Sequence, residues 1–285
     1  MSFKIHSCFF GFEKSKSMLV ETRETNNIFF IGDIHGRFES LRSAINVAQE
    51  QNGILICVGD FLDSYDRNSL DQMECLDLVF ENDNVEAIPG NHCISYLGQD
   101  FPSCSGKSFS TETILNGRMR SGKNDYRNFL RGLPHAFLIE NPVCNPILVT
   151  HAGLSADFLT ARQKGIDLFR KSVAREKLSP QNVFDAMDSF GHSLLAVGKA
   201  RGGLSSNGGI FWSDLRKEFY HIPNLPQVFG HSRVPDIFPL PLEDTDEIGN
   251  TSFAIDCLDR KNRILNLKLE IHNNKAEIVS RCVDI

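Results

Sequence analysis

The sequence predicts an α/β protein in which two mixed β-sheets pack as a sandwich flanked by helices. One observation behind this is a strand–helix–strand–helix–strand succession between residues 28 and 90. The other is a pair of strand-like segments near the end of the chain, with the alternation of an antiparallel hairpin. A helix-flanked first half and an antiparallel end imply two sheets within one domain.

The elements follow in order. Residues 1–26 read as an irregular, polar N-terminal extension, with the domain proper at 27–285. Ile28–Ile31 is a continuous apolar run, as expected of a strand buried on both faces. Phe38, Leu41, Ile45 and Ala48 recur at helical spacing over 37–50. Ile54–Val58 is a second buried strand, and Leu70, Met73, Leu76 and Val79 mark the next helix. Val85–Pro89 is a third strand. Residues 94–128, rich in Ser, Gly, Asn and Thr, predict loops with a short helix. Strands are expected at Ala136–Glu140 and Pro146–Thr150, then helix from Ser155 to about 200, where Ser179-Pro180 forms an N-cap and first-turn pair. Gly202–Gly209 predicts a mobile loop. Leu265, Leu267, Leu269 and Ile271 alternate with polar residues, and Asn273-Asn274 suits a two-residue turn into Lys275–Cys282.

With 41% hydrophobic and 23% charged residues, the 285-residue chain has the composition of a soluble globular protein. A net charge of -6 offers no basic excess for nucleic acid or an anionic membrane, so neither is an expected partner. No apolar run approaches the roughly 18 residues of a membrane span, and Lys4 and His6 break the N-terminal apolar stretch that a secretory signal requires. The eight scattered cysteines include no C-x-x-C pair, which points to a reducing, cytoplasmic setting.

The polar residues are informative because of where they fall. Three successive buried strands end in glycine plus possible metal ligands: Asp33 with His35, Asp60 with Asp63, and Asn91 with His92. A fourth ends in His151, and Val228-Phe229 leads into Gly230-His231. Ligands of α/β sheets gather beyond the carboxyl ends of strands. Turn chemistry explains Asp, Asn and Gly at such places, but not four histidines at separate strand ends. Carboxylate, carboxamide and imidazole together suit Mn, with Fe or Zn as alternatives, better than Ca or Mg. Two such ions about 3.5–4 Å apart activate a shared water and clamp an in-line displacement. Asp60, central in chain order, is the candidate bridging ligand. Asp63 is placed to hydrogen-bond His92 and keep it charged as a general acid.

Five motifs in order, Gly32-Asp33-Ile34-His35-Gly36, Gly59-Asp60-Phe61-Leu62-Asp63, Gly90-Asn91-His92, His151-Ala152-Gly153 and Gly230-His231, resemble those of the phosphoprotein phosphatase family within the calcineurin-like metallophosphoesterases. That family includes serine/threonine phosphatases and symmetrical diadenosine tetraphosphatases. Phe129–Pro134 and Trp212-Ser213-Asp214 are similar to further family segments, so the resemblance spans roughly residues 28 to 260. It implies a helix-flanked β-sandwich and two divalent cations. Asp33 and His35 would hold the first ion and Asp60 would bridge. Asn91, His151 and His231 would hold the second, with Asn91 also near the substrate. His92, oriented by Asp63, would be the acid.

Two positions depart from the pattern. The family has Arg after the second Asp of its second motif and Glu after the His of its third, where this chain has Ser64 and Cys93. The missing Arg normally grips phosphate; Arg67, Arg201 and Arg216 are the candidate replacements. A second motif with Asp-Ser resembles phage and bacterial phosphoesterases. Cys93 reads as a small packing residue. The expected activity is dinuclear-metal hydrolysis of a phosphate monoester on a protein or small molecule. A dinucleoside polyphosphate hydrolase and a non-catalytic phospho-ligand-binding relative are the alternatives.

Overall fold

The computed structural model describes residues 1–12, 16–64, 66–161, 167, 170, 177–241, 251–272 and 275–285. Its strands are β1 (Phe3–Phe9), β2 (Met18–Thr25), β3 (Asn27–Ile31), β4 (Ile54–Cys57), β5 (Val85–Ala87), β6 (Ala136–Glu140), β7 (Ile147–Val149), β8 (Gln227–Phe229), β9 (Phe238–Pro241), β10 (Thr251–Ala254), β11 (Arg263–His272) and β12 (Lys275–Asp284). The helices are α1 (Phe38–Glu50), α2 (Ser69–Glu81), α3 (Asn91–Ile94), α4 (Phe109–Leu115), α5 (Tyr126–Gly132), α6 (Ala156–Thr160) and α7 (Pro180–Asp188).

The strands form two mixed sheets. One runs β2-β1-β6-β7-β8-β10-β9, the other β12-β11-β3-β4-β5. In the second, β3, β4 and β5 are parallel and the β11–β12 hairpin adds antiparallel to β3. Strand alternation divides the core into two parts. Ile28, Phe30, Ile54, Ile56, Leu265 and Leu267 meet Phe3, Ile5, Phe137, Ile139 and Val149 between the sheets. Phe29, Ile31, Leu55 and Cys57 point the other way, onto Leu41, Ala44, Ile45, Met73 and Leu76 of α1 and α2. Both faces of β3 and β4 are therefore covered, which is why their sequences are continuous apolar runs.

Residues 1–26 are not an irregular extension. β1 lies inside the larger sheet, antiparallel to both β2 and β6. Lys4 and His6, which look like interruptions of an apolar stretch, occupy the positions that alternate with the buried Phe3, Ile5 and Ser7. β2 is a largely exposed edge strand, and its Glu, Thr and Arg content reflects that position. The short strands β9 and β10 are further elements beyond those expected from the sequence.

The segment 94–128 holds loops and the short helix α4, and ends in the first turn of α5. α7 starts with a capping box, Ser179 with Asn182. Gly202–Gly209 is tied down rather than mobile: the Glu218 carboxylate accepts the Ala200 and Gly208 N–H groups, and Ser205 pairs with Gly198. The Asn273-Asn274 turn and residues 162–166, 168–169 and 171–176 of the 155–200 helical pattern lie outside the described residues; the rest of that pattern holds α6, α7 and two 3-10 turns at Gly191–Leu195 and Lys199–Arg201. Among the described residues, no helix is long and apolar enough to cross a membrane.

Candidate active site

The carboxyl ends of β3, β4, β5, β7 and β8 converge; the polar tips of β3, β4, β5 and β8 line one cavity of about 450 Å³, and His151 at the tip of β7 is buried beneath it. Asp33, His35, Asp60, Asn91, His92 and His231 form its floor; Arg201, Trp212, Asp214, Arg216, Arg233 and Asp256 are among its walls. The loops are laced together by main-chain bonds: Ile34 and His35 N–H donate to the Asp60 carbonyl, and Gly230 N–H to that of His151. His35, Asp60, Asp63 and His231 have φ of 44°, 45°, 60° and 64°. Non-glycine residues rarely adopt this left-handed region, and such strain persists only where the surroundings impose it.

The donor atoms form two groups, each within 4.8 Å: Asp33, His35 and Asp60, and then Asp60, His151 and His231. Asp60 is common to both. Its Oδ1 accepts the His92 main-chain N–H at 2.9 Å. Its Oδ2 faces inward, 3.4 Å from His151 Nε2 and 4.0 Å from His35 Nε2. The histidines are oriented from behind: His35 Nδ1–H donates to the Leu62 carbonyl at 2.7 Å and His151 Nδ1–H to that of Val58 at 2.8 Å. With those tautomers each Nε2 lone pair points into the site, as metal ligation requires. Asn91 Oδ1 lies 2.8 Å from His151 Nε2 and 2.9 Å from His231 Nδ1. This crowd of acceptor-capable atoms around a buried point fits cations.

Burial alone would raise the Asp60 carboxyl, yet His151, His92 and His35 outweigh it and hold the group well below the usual range. Burial raises Asp33, with Asp60 adding to the effect and His151 opposing it. Burial works against charge on His151, but Asp60 and Asp33 push it up to about 9. His231 is held neutral by burial and by the neighbouring His151 and Arg201.

Beside this cluster, His92 Nδ1–H donates to Asp63 Oδ2 at 3.0 Å. Burial opposes charge on the ring, but Asp60 and the Asp63 hydrogen bond push His92 up to about 11. Cys104 Sγ sits 3.5 Å from both ring nitrogens and accepts from Asn91 Nδ2 at 3.3 Å.

Of the candidate phosphate-binding arginines, two reach the cavity. Arg201 Nε pairs with Asp214 Oδ2 at 3.0 Å and its Nη2 donates to Ser232 Oγ at 2.9 Å. Arg216 Nη2 donates to the Arg233 carbonyl at 3.0 Å. The Trp212-Ser213-Asp214 segment is thus a rack for the arginines, with Trp212 serving both as packing and as cavity wall. Arg67 does not join them. Ser64 Oγ accepts the Asp66 and Arg67 N–H groups in a local turn, and Arg67 lines a separate groove with Ser69 and Ser110.

Among the cavity residues not singled out from the sequence, three carry a charge or a thiol. Asp256 follows the apolar run Phe253–Ile255, the signal that found Asp33 and Asp60; burial, Asp33 and Asp259 push its carboxyl well up. Arg233 stands two residues after His231, paired with Asp259 at 3.0 Å. Cys104 comes from the unpatterned segment and carries no sequence signal.

Similar solved structures include a hypothetical protein from Pyrococcus horikoshii OT3, with 9% identity over 91% of this chain and 87% of that one, and a TM-score of 0.45. A protein serine/threonine phosphatase from Saccharomyces cerevisiae shares 13% over 91% and 80%, with a TM-score of 0.44. A metallophosphoesterase from Sphaerobacter thermophilus shares 12% over 90% and 88%, with a TM-score of 0.40. No curated protein matches the sequence. Residues 27–235 match the family of calcineurin-like phosphoesterases, whose activity implies divalent metal ions. On this match, the chain belongs to the calcineurin-like phosphoesterase family and is a hydrolase of phosphoesters.

Proposed function

We propose that the protein hydrolyses phosphate monoesters in the manner of a serine/threonine protein phosphatase, on a phosphorylated protein or a small phosphorylated compound. The observation that carries this reading is the pair of donor groups sharing Asp60. Asp33, His35 and Asp60 hold one divalent ion, and Asp60, Asn91, His151 and His231 hold the other. Manganese suits this mixed oxygen and nitrogen set, as do iron and zinc. When bound, the ions supply an activated water and neutralise charge in an in-line displacement.

The protein's own groups do the rest. Arg201 and Arg216, braced by Asp214 and the Arg233 carbonyl, orient the phosphate, with Asn91 beside it. His92 protonates the departing oxygen, and Asp63 holds its ring in the donating orientation. The cavity of about 450 Å³ accommodates a phosphate with part of its leaving group.

The test pairs metal analysis of the purified protein with turnover of a phosphoserine peptide, p-nitrophenyl phosphate and diadenosine tetraphosphate in Mn²⁺. Two bound ions with monoester turnover are expected. Hydrolysis of diadenosine tetraphosphate without monoester turnover would replace this reading with the polyphosphate hydrolase. Metal binding without any hydrolysis would leave a phospho-ligand-binding protein.

A further inference from the structure

We propose that Tyr96 is a positioning residue for the reaction, acting through Asp63 on His92. This rests on His92 being the general acid. His92 and Tyr96 are four residues apart, at the start and just past the end of the one-turn helix α3, so their side chains project the same way. Asp63 lies between them. Its Oδ2 accepts from His92 Nδ1–H at 3.0 Å and its Oδ1 accepts from the Tyr96 hydroxyl. The Tyr96 oxygen in turn accepts the Ser108 N–H at 2.8 Å, which fixes the direction of its own proton. A carboxylate held by one oxygen can swing about its terminal torsion, and the imidazole swings with it; anchoring the second oxygen fixes the plane.

The surroundings make this clamp rigid. Tyr96 is 2% exposed and the Asp63 side chain 1%. Lys107 sits 4.7 Å from the Tyr96 ring centre and donates to the Ser95 carbonyl at 2.9 Å. The Asp63 N–H donates to Gln72 Oε1 at 3.0 Å, holding the strained residue from its other side. The segment from Cys104 to Ser108, unreadable in the sequence, thus closes over the acid and supplies the last link of the chain Ser108 N–H, Tyr96, Asp63, His92. The competing explanation is that Tyr96 only fills the core.

The test is Tyr96→Phe, which deletes one oxygen and keeps the ring. The outer hydrogen-bond partner of a metal-ligating residue is typically worth roughly 10–100-fold in activity, and the same scale is taken for the partner that orients an acid. We expect a loss of that size in kcat/KM for an alkyl phosphate or phosphoserine peptide, whose leaving oxygen needs the proton. Turnover of p-nitrophenyl phosphate, whose leaving group does not, should hold, with metal content unchanged. In a His92→Asn background the substitution should cost nothing more. Lys107→Met, which removes the packing partner but not the hydroxyl, should leave the contrast between esters intact. If Tyr96→Phe folds poorly, fluorotyrosine at position 96 retains ring and hydroxyl while changing donor strength, and should alter only the alkyl-ester rate. Equal loss on both esters in Tyr96→Phe, with His92→Asn still discriminating, would overturn the role of Tyr96 alone. A His92→Asn variant that fails to discriminate would overturn the acid assignment and this proposal together.

Discussion

Replacing His92 by Asn isolates proton donation from the rest of the site. The main-chain N–H of residue 92, which bonds Asp60 Oδ1 at 2.9 Å, survives the change, so the shared carboxylate keeps its aim. Asn rather than Ala also leaves a side-chain N–H for the Asp63 carboxylate, which is buried and would otherwise lose a charge-assisted bond. What disappears is the proton, held on the ring by Asp60 and Asp63. General acid catalysis is worth about 10²–10⁴, or roughly 3–5 kcal/mol of barrier. The full amount applies to an alkoxide leaving group; almost none applies to nitrophenolate, which departs without help. The assay is kcat/KM across aryl and alkyl phosphates of graded leaving-group pKa, in Mn²⁺, with metal content measured alongside. A steepened dependence on leaving-group pKa is expected. Parallel loss across the series, at unchanged metal content, would refute the role of His92 as acid.

Further consequences are as direct. Asp60→Asn removes the carboxylate common to both donor groups, so metal content and activity should fall by at least the roughly 10–100-fold that an outer partner costs, while circular dichroism stays native; wild-type metal content would contradict the shared role. Gly230→Ala introduces a Cβ that collides with Asp33 Oδ1, and it should lower metal affinity without altering any ligand, as read by titration with Mn²⁺. In metal-free protein, His151 and His92 are raised from 6.5 to about 9 and about 11. Their stabilisation is therefore complete below pH 6.5 and lost as pH climbs through those values. The melting temperature of chelator-treated protein should accordingly drop between pH 7 and 10, and a flat profile would count against this charge arrangement.

Legibility followed burial. β3 and β4 are covered on both faces, so their apolar runs stood out, and the glycine–acid tips that follow them located Asp33 and Asp60. β1 was lost because Lys4 and His6 occupy alternate positions of a strand whose partners, β2 and β6, begin at Met18 and Ala136; only pairing reveals that Phe3 and Ile5 face a core. The metal-ligand candidates were visible because each carries its own strand-end signal. Arg67 was misjudged for the opposite reason: its nearness in sequence to Asp63 says nothing about the turn at Ser64 that sends it into another groove. Cys104 and Tyr96 reach the acid from a segment without periodicity, and proximity there is created by tertiary structure alone.

The departures at Ser64 and Cys93 would be a single change if a glutamate at 93 needed an arginine at 64, and that dependence can be measured. Cys93 is fully buried on α3, packed in the helix-side core, and burial pushes its thiol well up. A glutamate at that position would place a carboxylate in surroundings that already raise a weaker acid, beside the charge of Asp60. Without a cationic partner such a group is expensive. Ser64 lines a depression of about 220 Å³ with His35 and Arg37, room for a longer cationic side chain. Cys93→Glu alone should therefore destabilise the fold by about 3–5 kcal/mol, the cost of an unpaired buried charge. Combining it with Ser64→Arg should recover a measurable part, read as the interaction energy of a double-mutant cycle in urea. Strict additivity of the two would show that the residues changed independently, and the absence of a glutamate at 93 would then owe nothing to the serine at 64.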